Sequence, residues 1–196
     1  MDDPKTLHRA RLQSALRTTD SEERAAWSAA LCRHLEESTQ WKSAGTVMLF
    51  APLRYEPDLL PLMAGGRRWV FPSMEENRIV PRAVADAGEL VPGPFGIRGP
   101  DVERCPAVAA GSLDLILIPG LGFSPAGHRL GRGKGHYDRF LADVPAAVWR
   151  CGVCFGCQVT VELPRESHDI PMHSLLTENG MVDCGDTSGF RDGRSQ

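Results

Sequence analysis

The chain has little of what a nucleic-acid-binding, exported or membrane protein needs. Its 22 lysines and arginines are outnumbered by 25 aspartates and glutamates, so the formal net charge is -3. A protein that tracks phosphates normally carries a basic surplus over the whole domain, so any positive field here must be local. Residues 1–12 carry acidic side chains and no apolar core, and no run approaches the roughly 18 apolar residues of a membrane span. We therefore expect a soluble, cytoplasmic protein.

Two common nucleotide-binding motifs are also missing. The basic segment Gly131-Arg132-Gly133-Lys134-Gly135 lacks the G-x-x-x-x-G-K-[ST] spacing of a Walker A loop, and no hydroxyl follows the lysine to hold magnesium. Its glycines alternate instead of following the G-x-G-x-x-G dinucleotide fingerprint. A Gly/Arg-rich RNA-binding segment would share this composition, but such segments are usually repeated and disordered, whereas this one occurs once between an apolar run and a predicted helix.

The six cysteines are expected to be free thiols, because the chain shows no export signal. Three of them have the spacing Cys151-x2-Cys154-x2-Cys157, which suggests iron–sulfur or zinc ligation. An iron–sulfur run of this type continues to a further cysteine three residues later, whereas Gln158 and Val159 follow here. The segment 147–155 also fits a buried strand, in which cysteine behaves as a small hydrophobe. The buried strand is the favoured interpretation, and the metal site is the alternative.

Apolar periodicity alternates between helical and strand-like along the chain. Residues 4–17 read as a helix that projects Lys5 and Arg9 from one face, and a capping box at Asp20-x-x-Glu23 begins a second helix. Residues 88–106 are rich in Gly and Pro and are expected to be irregular. We predict strands at 46–53, 68–72, 79–84, 114–118, 148–155 and around 175–182, a short helix at 58–64 and another helix at 135–142.

The stretch 114–141, DLILIPGLGFSPAGHRLGRGKGHYDRFL, has the chemistry of a phosphate cradle. Closely spaced glycines let the backbone curl so that its N–H groups face one anion, while Arg129, Arg132 and Lys134 supply compensating charge. Asp138 lies one helical turn after Lys134. It can hold magnesium beside the phosphates or form an ordinary ion pair with Lys134, and the spacing favours neither.

Two further candidate sites lie outside this stretch, and each also has an interpretation without a function. Lys5 and Arg9 can reach phosphates or simply form a solvated cationic face. Glu56 follows the strand at 46–53, on the side of an α/β sheet where ligands collect, but it can equally be an ordinary surface carboxylate.

The 114–141 stretch resembles the signature of the 5-formyltetrahydrofolate cyclo-ligase family, also called 5,10-methenyltetrahydrofolate synthetases. The resemblance covers roughly residues 5–180. It includes the Lys5-x-x-x-Arg9 helix, the Glu56 loop, residues 93–97, and the segment from Phe155-x-x-Gln158 to His168-Asp169-Ile170-Pro171.

The resemblance implies both a fold and a reaction. The fold is a three-layer α/β/α, Rossmann-like arrangement with a mainly parallel sheet, NagB/RpiA/CoA-transferase-like, in a single domain over residues 1–184. Residues 185–196 are polar and Gly-rich, so we expect a disordered tail there. The reaction is the ATP- and Mg²⁺-dependent conversion of 5-formyltetrahydrofolate to 5,10-methenyltetrahydrofolate through a phosphorylated N5-formyl intermediate. Small-molecule substrates are expected, without nucleic acid or membrane, in a monomer or weak homo-oligomer.

The resemblance also implies a role for each candidate residue. The nucleotide would be bound by Lys5, Arg9, Arg129, Gly131, Arg132, Gly133, Lys134, Gly135, His136 and Tyr137, with Arg129, Arg132 and Lys134 around the transferring group. Ala51, Glu56 and Tyr137 would contact the folate, and Asp138 and Asp169 would hold magnesium.

Three positions depart from the family's pattern. His136 stands where a tyrosine is usual, Arg98-Gly99-Pro100 replaces Pro-Glu-Pro, and His173 replaces an aspartate. None of these changes removes a phosphate ligand. They leave open an ATP-dependent ligase acting on a different formyl or acyl substrate, and a nucleic-acid-binding module is the remaining alternative.

Overall fold

The computed structural model describes residues 4–93, 96–164, 166 and 169–185. Within them, helices and strands alternate along the chain as the apolar pattern predicts. The helices are α1 (Pro4–Thr18), α2 (Ser21–Glu37), α3 (Thr39–Ser43) and α4 (His136–Ala142). The strands are β1 (Thr46–Met48), β2 (Arg68–Glu75), β3 (Arg78–Val84), β4 (Leu90–Pro92), β5 (Arg98–Pro100), β6 (Leu115–Pro119), β7 (Gly122–Phe123), β8 (Arg129–Leu130), β9 (Trp149–Val153), β10 (Ser174–Thr177) and β11 (Gly180–Asp183).

Seven of these strands form the central sheet, in the order β11-β10-β9-β6-β1-β2-β3. The five inner strands, from β10 to β2, run parallel to one another, and antiparallel neighbours close both edges. Parallel neighbours need crossover connections, which explains why helices alternate with strands in the sequence. The predicted α/β fold with a mainly parallel sheet is confirmed.

Strand β6 shows how the sheet is buried on both faces. Leu115 and Leu117 belong to one apolar core, whereas Ile116 and Ile118 belong to the other, because successive side chains point to opposite faces. Helices α2 and α3 contribute Leu31, Leu35 and Trp41 to the first core, and α4 contributes Phe140 and Leu141 to the second. Removing each of these large side chains from water contributes about 1.5–3 kcal/mol. The chain therefore has the predicted three layers.

Helix α2 begins where the sequence predicts. The side chain of Asp20 accepts a hydrogen bond from the Ser21 N–H at 2.6 Å, and the Glu23 side chain accepts from the Asp20 N–H at 3.3 Å. This reciprocal capping box satisfies backbone donors that the first turn leaves unpaired.

Several predictions of secondary structure were wrong in detail. The single strand predicted around 175–182 is two antiparallel strands, β10 and β11. The ladder of β1 ends at Met48 although burial continues to Phe50. The short helix predicted at 58–64 is a 3₁₀-helix, Leu60–Ala64, with Pro61 in its first turn. Residues 88–106 are not irregular throughout, because β4 and β5 form a hairpin closed by a 2.8 Å hydrogen bond from the Gly93 N–H to the Ile97 carbonyl.

No helix in the described ranges is both long enough and apolar enough to cross a bilayer. The predicted tail at 185–196 lies outside the described residues except for Gly185, and the single domain over 1–184 stays a prediction.

Candidate active site

Apart from Lys5 and Arg9 on α1, the candidate residues lie in the segments that follow the parallel strands β1, β6 and β9. Carboxyl ends of parallel strands meet at one edge of a sheet, and ligands bind in the crevice beside that edge. Ala51 and Glu56 follow β1, the basic loop and α4 follow β6, and Gln158 follows β9. Ala51 is half-buried and packs against the core beneath this edge. The sheet order thus places β1, β6 and β9 side by side, although their loops are far apart in sequence.

Glycines in the basic loop make room for arginine side chains. A Cβ at Gly131 would lie 2.9 Å from Nη1 of Arg129, closer than real contacts allow. Arg9 lies against the backbone at Gly133, where a Cβ would make an ordinary van der Waals contact with Cζ at 3.5 Å. Gly133 has a φ of 99° and Gly135, which precedes α4, has a φ of 61°, both in the left-handed region that favours glycine. The loop therefore curls tightly with cations packed against its backbone.

Arg129 lies at the base of this loop, with only 5% of its side chain exposed. Its Nη2 donates to Oδ1 of Asp138 at 2.6 Å, and its guanidinium lies 5.4 Å from the ring centre of Tyr137. Burial raises the pKa of Tyr137, which the charge of Arg129 only partly opposes. Nε of Arg129 is buried and no described residue accepts its proton. A buried donor without an acceptor is costly, so an anion at this position would be stabilised.

Helix α1 brings two cations to the same loop. Nε of Arg9 donates to the Gly131 carbonyl at 3.1 Å across 122 residues of sequence. Nζ of Lys5 lies 2.8 Å from Glu166 and 3.6 Å from Asp169. Burial lowers the pKa of Lys5, but the hydrogen bond to Glu166 and the charge of Asp169 outweigh it, so the pKa is raised and the ammonium stays charged.

Close packing holds α1 in this position. Leu12 of α1 lies over Gly122, where an added Cβ would be 2.5 Å from the leucine Cδ1. Lys5, Arg9, Leu12 and Leu16 follow an i, i+4, i+7, i+11 spacing and share one face of α1, so burying the two leucines turns the two cations towards the basic loop.

Glu56 and Arg132 form an ion pair between the loop after β1 and the basic loop. Nη2 of Arg132 lies 2.9 Å from Oε1 of Glu56, and the Leu53 N–H donates to the other carboxylate oxygen at 3.0 Å. The Glu56 side chain is 9% exposed, whereas that of Arg132 is 48% exposed. The carboxylate is therefore fixed, and the guanidinium is the partner that solvent can reach.

The two predicted magnesium ligands each contact a cation. Asp138 contacts Arg129 rather than the Lys134 partner of the ion-pair alternative, and Asp169 contacts Lys5. Asp169 also accepts from the Glu166 N–H at 2.7 Å. No cluster of three or more His, Cys, Asp or Glu side chains suited to a metal occurs among the described residues. A metal held here would need oxygen ligands from a bound phosphate as well.

Gln158 joins two loops of the candidate site, and the sequence reasoning named it only within the family pattern, without a role. It is buried, its Nε2 donates to the carbonyls of Gly120 at 2.9 Å and Leu121 at 3.2 Å, and its Oε1 accepts from the Phe155 N–H at 2.8 Å. These bonds join the loop after β9 to the loop after β6. The available signal was the Phe155-x-x-Gln158 pattern, which places a polar amide directly after an apolar strand.

His136 and Arg139 lie at the first turn of α4. Nη2 of Arg139 is 2.9 Å from Nδ1 of His136, which favours the tautomer with its proton on Nε2. Burial and then the charge of Arg139 lower the pKa of His136, so its ring is neutral at pH 7.

The three clustered cysteines lie in different environments. Cys151 belongs to the core on one face of the sheet and Cys154 to the core on the other, while Cys157 is exposed. Burial raises the pKa of the Cys151 thiol to about 12. Thiols on opposite faces do not converge on one ion, so the buried-strand interpretation accounts for this segment.

Comparisons with known proteins agree on one family. The model described as the 5-formyltetrahydrofolate cyclo-ligase family matches residues 2–178. The 5-formyltetrahydrofolate cyclo-ligase of Mycolicibacterium smegmatis is 33% identical over 150 residues, which cover 71% of this chain and 77% of that protein. The mouse protein of the same name is 28% identical over 187 residues, covering 87% and 92%. The NMR structure of Aquifex aeolicus 5,10-methenyltetrahydrofolate synthetase matches with a TM-score of 0.81 and 32% identity, covering 99% of this chain and 96% of that one.

Proposed function

The chain belongs to the 5-formyltetrahydrofolate cyclo-ligase family, and on this premise we propose that it converts 5-formyltetrahydrofolate to 5,10-methenyltetrahydrofolate, consuming ATP with Mg²⁺ and releasing ADP and phosphate. The family resemblance of residues 114–141 is confirmed by the match over residues 2–178. The observation that carries the proposal is the convergence of three distant segments: Arg9 contacts the Gly131 carbonyl, and Arg132 contacts Glu56.

The chemistry of the loop suits a triphosphate. The buried N–H of Arg129 that has no acceptor supports an anion beside it, and the glycine backbone leaves space for arginines instead of side chains of its own. We assign the phosphates to Lys5, Arg9, Arg129, Arg132 and Lys134, together with the amides of Gly131, Gly133 and Gly135 and the first turn of α4 at His136 and Tyr137. Five cations on one loop and one helix face give a local positive field suited to phosphates, despite the chain's negative net charge.

Asp138 and Asp169 provide the hard oxygen ligands that suit Mg²⁺. Asp138 uses Oδ1 towards Arg129, and no described residue donates to its Oδ2. Bound Mg²⁺ would neutralise charge that develops on the phosphate oxygens. Asp138 would hold the ion from the first turn of α4, and Asp169 from the loop that meets Lys5.

In the proposed reaction the N5-formyl oxygen attacks the γ-phosphorus and ADP leaves. N10 then attacks the activated formyl carbon and loses its proton, and the ring closes as the C–O bond to phosphate breaks and hydrogen phosphate departs. Such a transfer depends on positioning and charge neutralisation more than on a covalent nucleophile. Arg129, Arg132 and Lys134 stabilise the charge on the transferring group. Glu56, Ala51 and Tyr137 orient the folate, and the 9% exposure of Glu56 keeps that carboxylate in one place.

The test is the rise of methenyl-folate absorbance when purified protein is mixed with 5-formyltetrahydrofolate, ATP and Mg²⁺. Lys134→Ala should lower kcat by roughly 100-fold, as expected when one charged donor to a transition state is removed. Lys42→Ala is the matched control, because Lys42 is an exposed lysine of α3 whose Nζ contacts only the Glu37 carbonyl among the described residues. The proposal fails if the wild-type protein forms no methenyl-folate and Lys134→Ala binds ADP as the wild type does.

A second candidate function keeps the ATP site and changes the other substrate. His136 in place of a tyrosine, and Arg98-Gly99 beside the partly described 93–97 loop, favour testing a panel of formyl and acyl acceptors. Nucleic-acid binding would appear instead as salt-dependent RNA binding without ATP turnover. The single domain over 1–184, the cytoplasmic location and the monomer or weak homo-oligomer stay predictions.

A further inference from the structure

Arg139 of α4 makes three side-chain contacts around the end of the basic loop. Its Nη1 donates to the Lys134 carbonyl at 3.1 Å, and its Nη2 donates to the Asn77 carbonyl at 3.3 Å. The same Nη2 lies 2.9 Å from Nδ1 of His136. Its own backbone N–H donates to the Gly135 carbonyl at 3.1 Å. One residue thus contacts two successive carbonyls of the loop, the first residue of the helix and a separate hairpin.

The backbone leaves a path for this side chain. A Cβ at Gly135 would lie 3.2 Å from Nη1 of Arg139, which is tighter than ordinary contacts. Asn77 forms the turn between β2 and β3 with Glu76, and both have positive φ values, 66° and 44°. The turn therefore presents the Asn77 carbonyl to α4 without a contribution from the asparagine side chain.

Contact with the Lys134 carbonyl has a direct consequence for the loop. The C=O of Lys134 and the N–H of Gly135 belong to one planar peptide unit and point in opposite directions. Fixing the carbonyl against Arg139 therefore fixes the direction of the Gly135 N–H, one of the amides assigned to phosphate. The planar guanidinium is suited to this task because its donors leave in fixed directions, unlike those of an ammonium group.

We infer that Arg139 is a positioning residue of the nucleotide site, which holds the Lys134–Gly135 peptide and ties the loop to the β2–β3 hairpin through Asn77. This inference rests on the proposed function, since it assigns the loop to ATP phosphates. Arg139 is exposed and its guanidinium contacts carbonyls and a ring nitrogen instead of the apolar core, so its loss should alter ligand binding more than folding.

The experiment measures ADP affinity by calorimetry alongside steady-state kinetics and thermal unfolding. Arg139→Gln should weaken ADP binding and raise KM for ATP by roughly tenfold, as expected when hydrogen bonds from a charged donor are lost. KM for 5-formyltetrahydrofolate should change by less than about twofold, because the folate residues are not among the contacts of Arg139. The ADP affinity of Arg139→Lys should be close to that of Arg139→Gln, because the point charge of an ammonium group does not reproduce the planar guanidinium.

Arg78→Gln provides the matched control. Arg78 is an exposed arginine of the same hairpin, on β3, and its replacement removes an equal charge near the turn. Unchanged ADP affinity in Arg78→Gln supports the inference. Wild-type ADP affinity in Arg139→Gln, full recovery in Arg139→Lys, or equal losses for both substrates with a lowered Tm would each overturn it.

A double-mutant cycle tests the contact with His136. His136→Phe keeps an aromatic ring and removes the acceptor at Nδ1. It should lower ADP affinity less in the Arg139→Gln background than in the wild type, because the contact is already lost there. Additive effects would contradict the inference. If the wild type binds ADP in an Arg139-dependent manner but forms no methenyl-folate, the proposed substrate is wrong and the inference stands. If the wild type converts the folate and Arg139→Gln binds ADP with wild-type affinity, the inference is wrong and the proposed function stands.

Discussion

Replacing Glu56 with glutamine should have opposite effects on the two substrates. In the structure the Glu56 carboxylate lies 2.9 Å from Nη2 of Arg132. The residue assigned to the folate is therefore paired with a residue assigned to the phosphates before either ligand binds. Glu56→Gln keeps the shape and an acceptor oxygen for the Leu53 N–H, and removes the charge. We expect tighter binding of ADP in the absence of folate and weaker binding of 5-formyltetrahydrofolate.

The solvent exposure of Glu56 and Arg132 sets the size of the expected change in ADP affinity. Arg132 is 48% exposed, so solvent screens the pair although Glu56 is only 9% exposed. A pair of this kind is worth about 1 kcal/mol. Since about 1.4 kcal/mol corresponds to a factor of ten, ADP should bind about threefold to fivefold more tightly to Glu56→Gln. KM for 5-formyltetrahydrofolate should rise by roughly tenfold, because a nearly buried charged hydrogen bond to the substrate is lost.

The assay is ADP titration calorimetry at fixed Mg²⁺, followed by folate-dependent methenyl absorbance. Glu36→Gln, at an exposed position of α2, is the control for the change in net charge. The reasoning would be refuted if Glu56→Gln bound ADP more weakly than the wild type, or if Glu36→Gln produced the same gain.

Two further predictions concern stability. Gly152→Ala should lower the free energy of unfolding by about 2 kcal/mol in urea denaturation, because the new Cβ would lie 2.5 Å from the buried ring of Phe123. Gly66→Ala, where no atom lies within 4 Å, should change it by less than about 0.5 kcal/mol, and equal losses in both variants would contradict the packing argument. Burial and then the charge of Arg150 lower the pKa of His173, so the unfolded chain binds the proton more readily and stability is lost as pH falls below about 6.5. His173→Gln should flatten the fall in Tm between pH 7.5 and pH 5.5, and an unchanged slope would rule out His173 as its source.

Local signals predicted the helices better than the short strands. The capping box at Asp20 and the apolar spacing of α1 and α2 are properties of neighbouring residues, so both helices begin where expected. The hairpin of β4 and β5 was missed because a Gly/Pro-rich segment has weak strand propensity, and a few cross-strand bonds decide its structure. In the same way β1 stops at Met48, although apolar residues continue, because the ladder needs a partner and not only burial.

Some residues of the candidate site were predicted and others were missed for a similar reason. The composition of the basic loop indicated phosphate chemistry, and helical spacing put Lys5 and Arg9 on one face. Two further features were absent from the local pattern: Gln158 as the link between two loops, and the pairing of Asp138 with Arg129. Both depend on contacts between residues that no sequence spacing relates.

The sequence by itself determined the succession of helices and strands and a loop with the glycines and cations of a phosphate cradle, because periodicity, capping and backbone freedom are local properties. The mainly parallel sheet was expected from the family resemblance. Only the tertiary structure decided which distant residues meet that loop. The sheet order sets β6 between β1 and β9, and the packing of Leu12 over Gly122 turns Arg9 towards Gly131. It also gave Arg132 its partner, Glu56, and gave the carbonyl of Lys134 its partner, Arg139. Such pairings arise when the burial of apolar faces brings loops to one edge of the sheet, and the loop's own residues do not encode them.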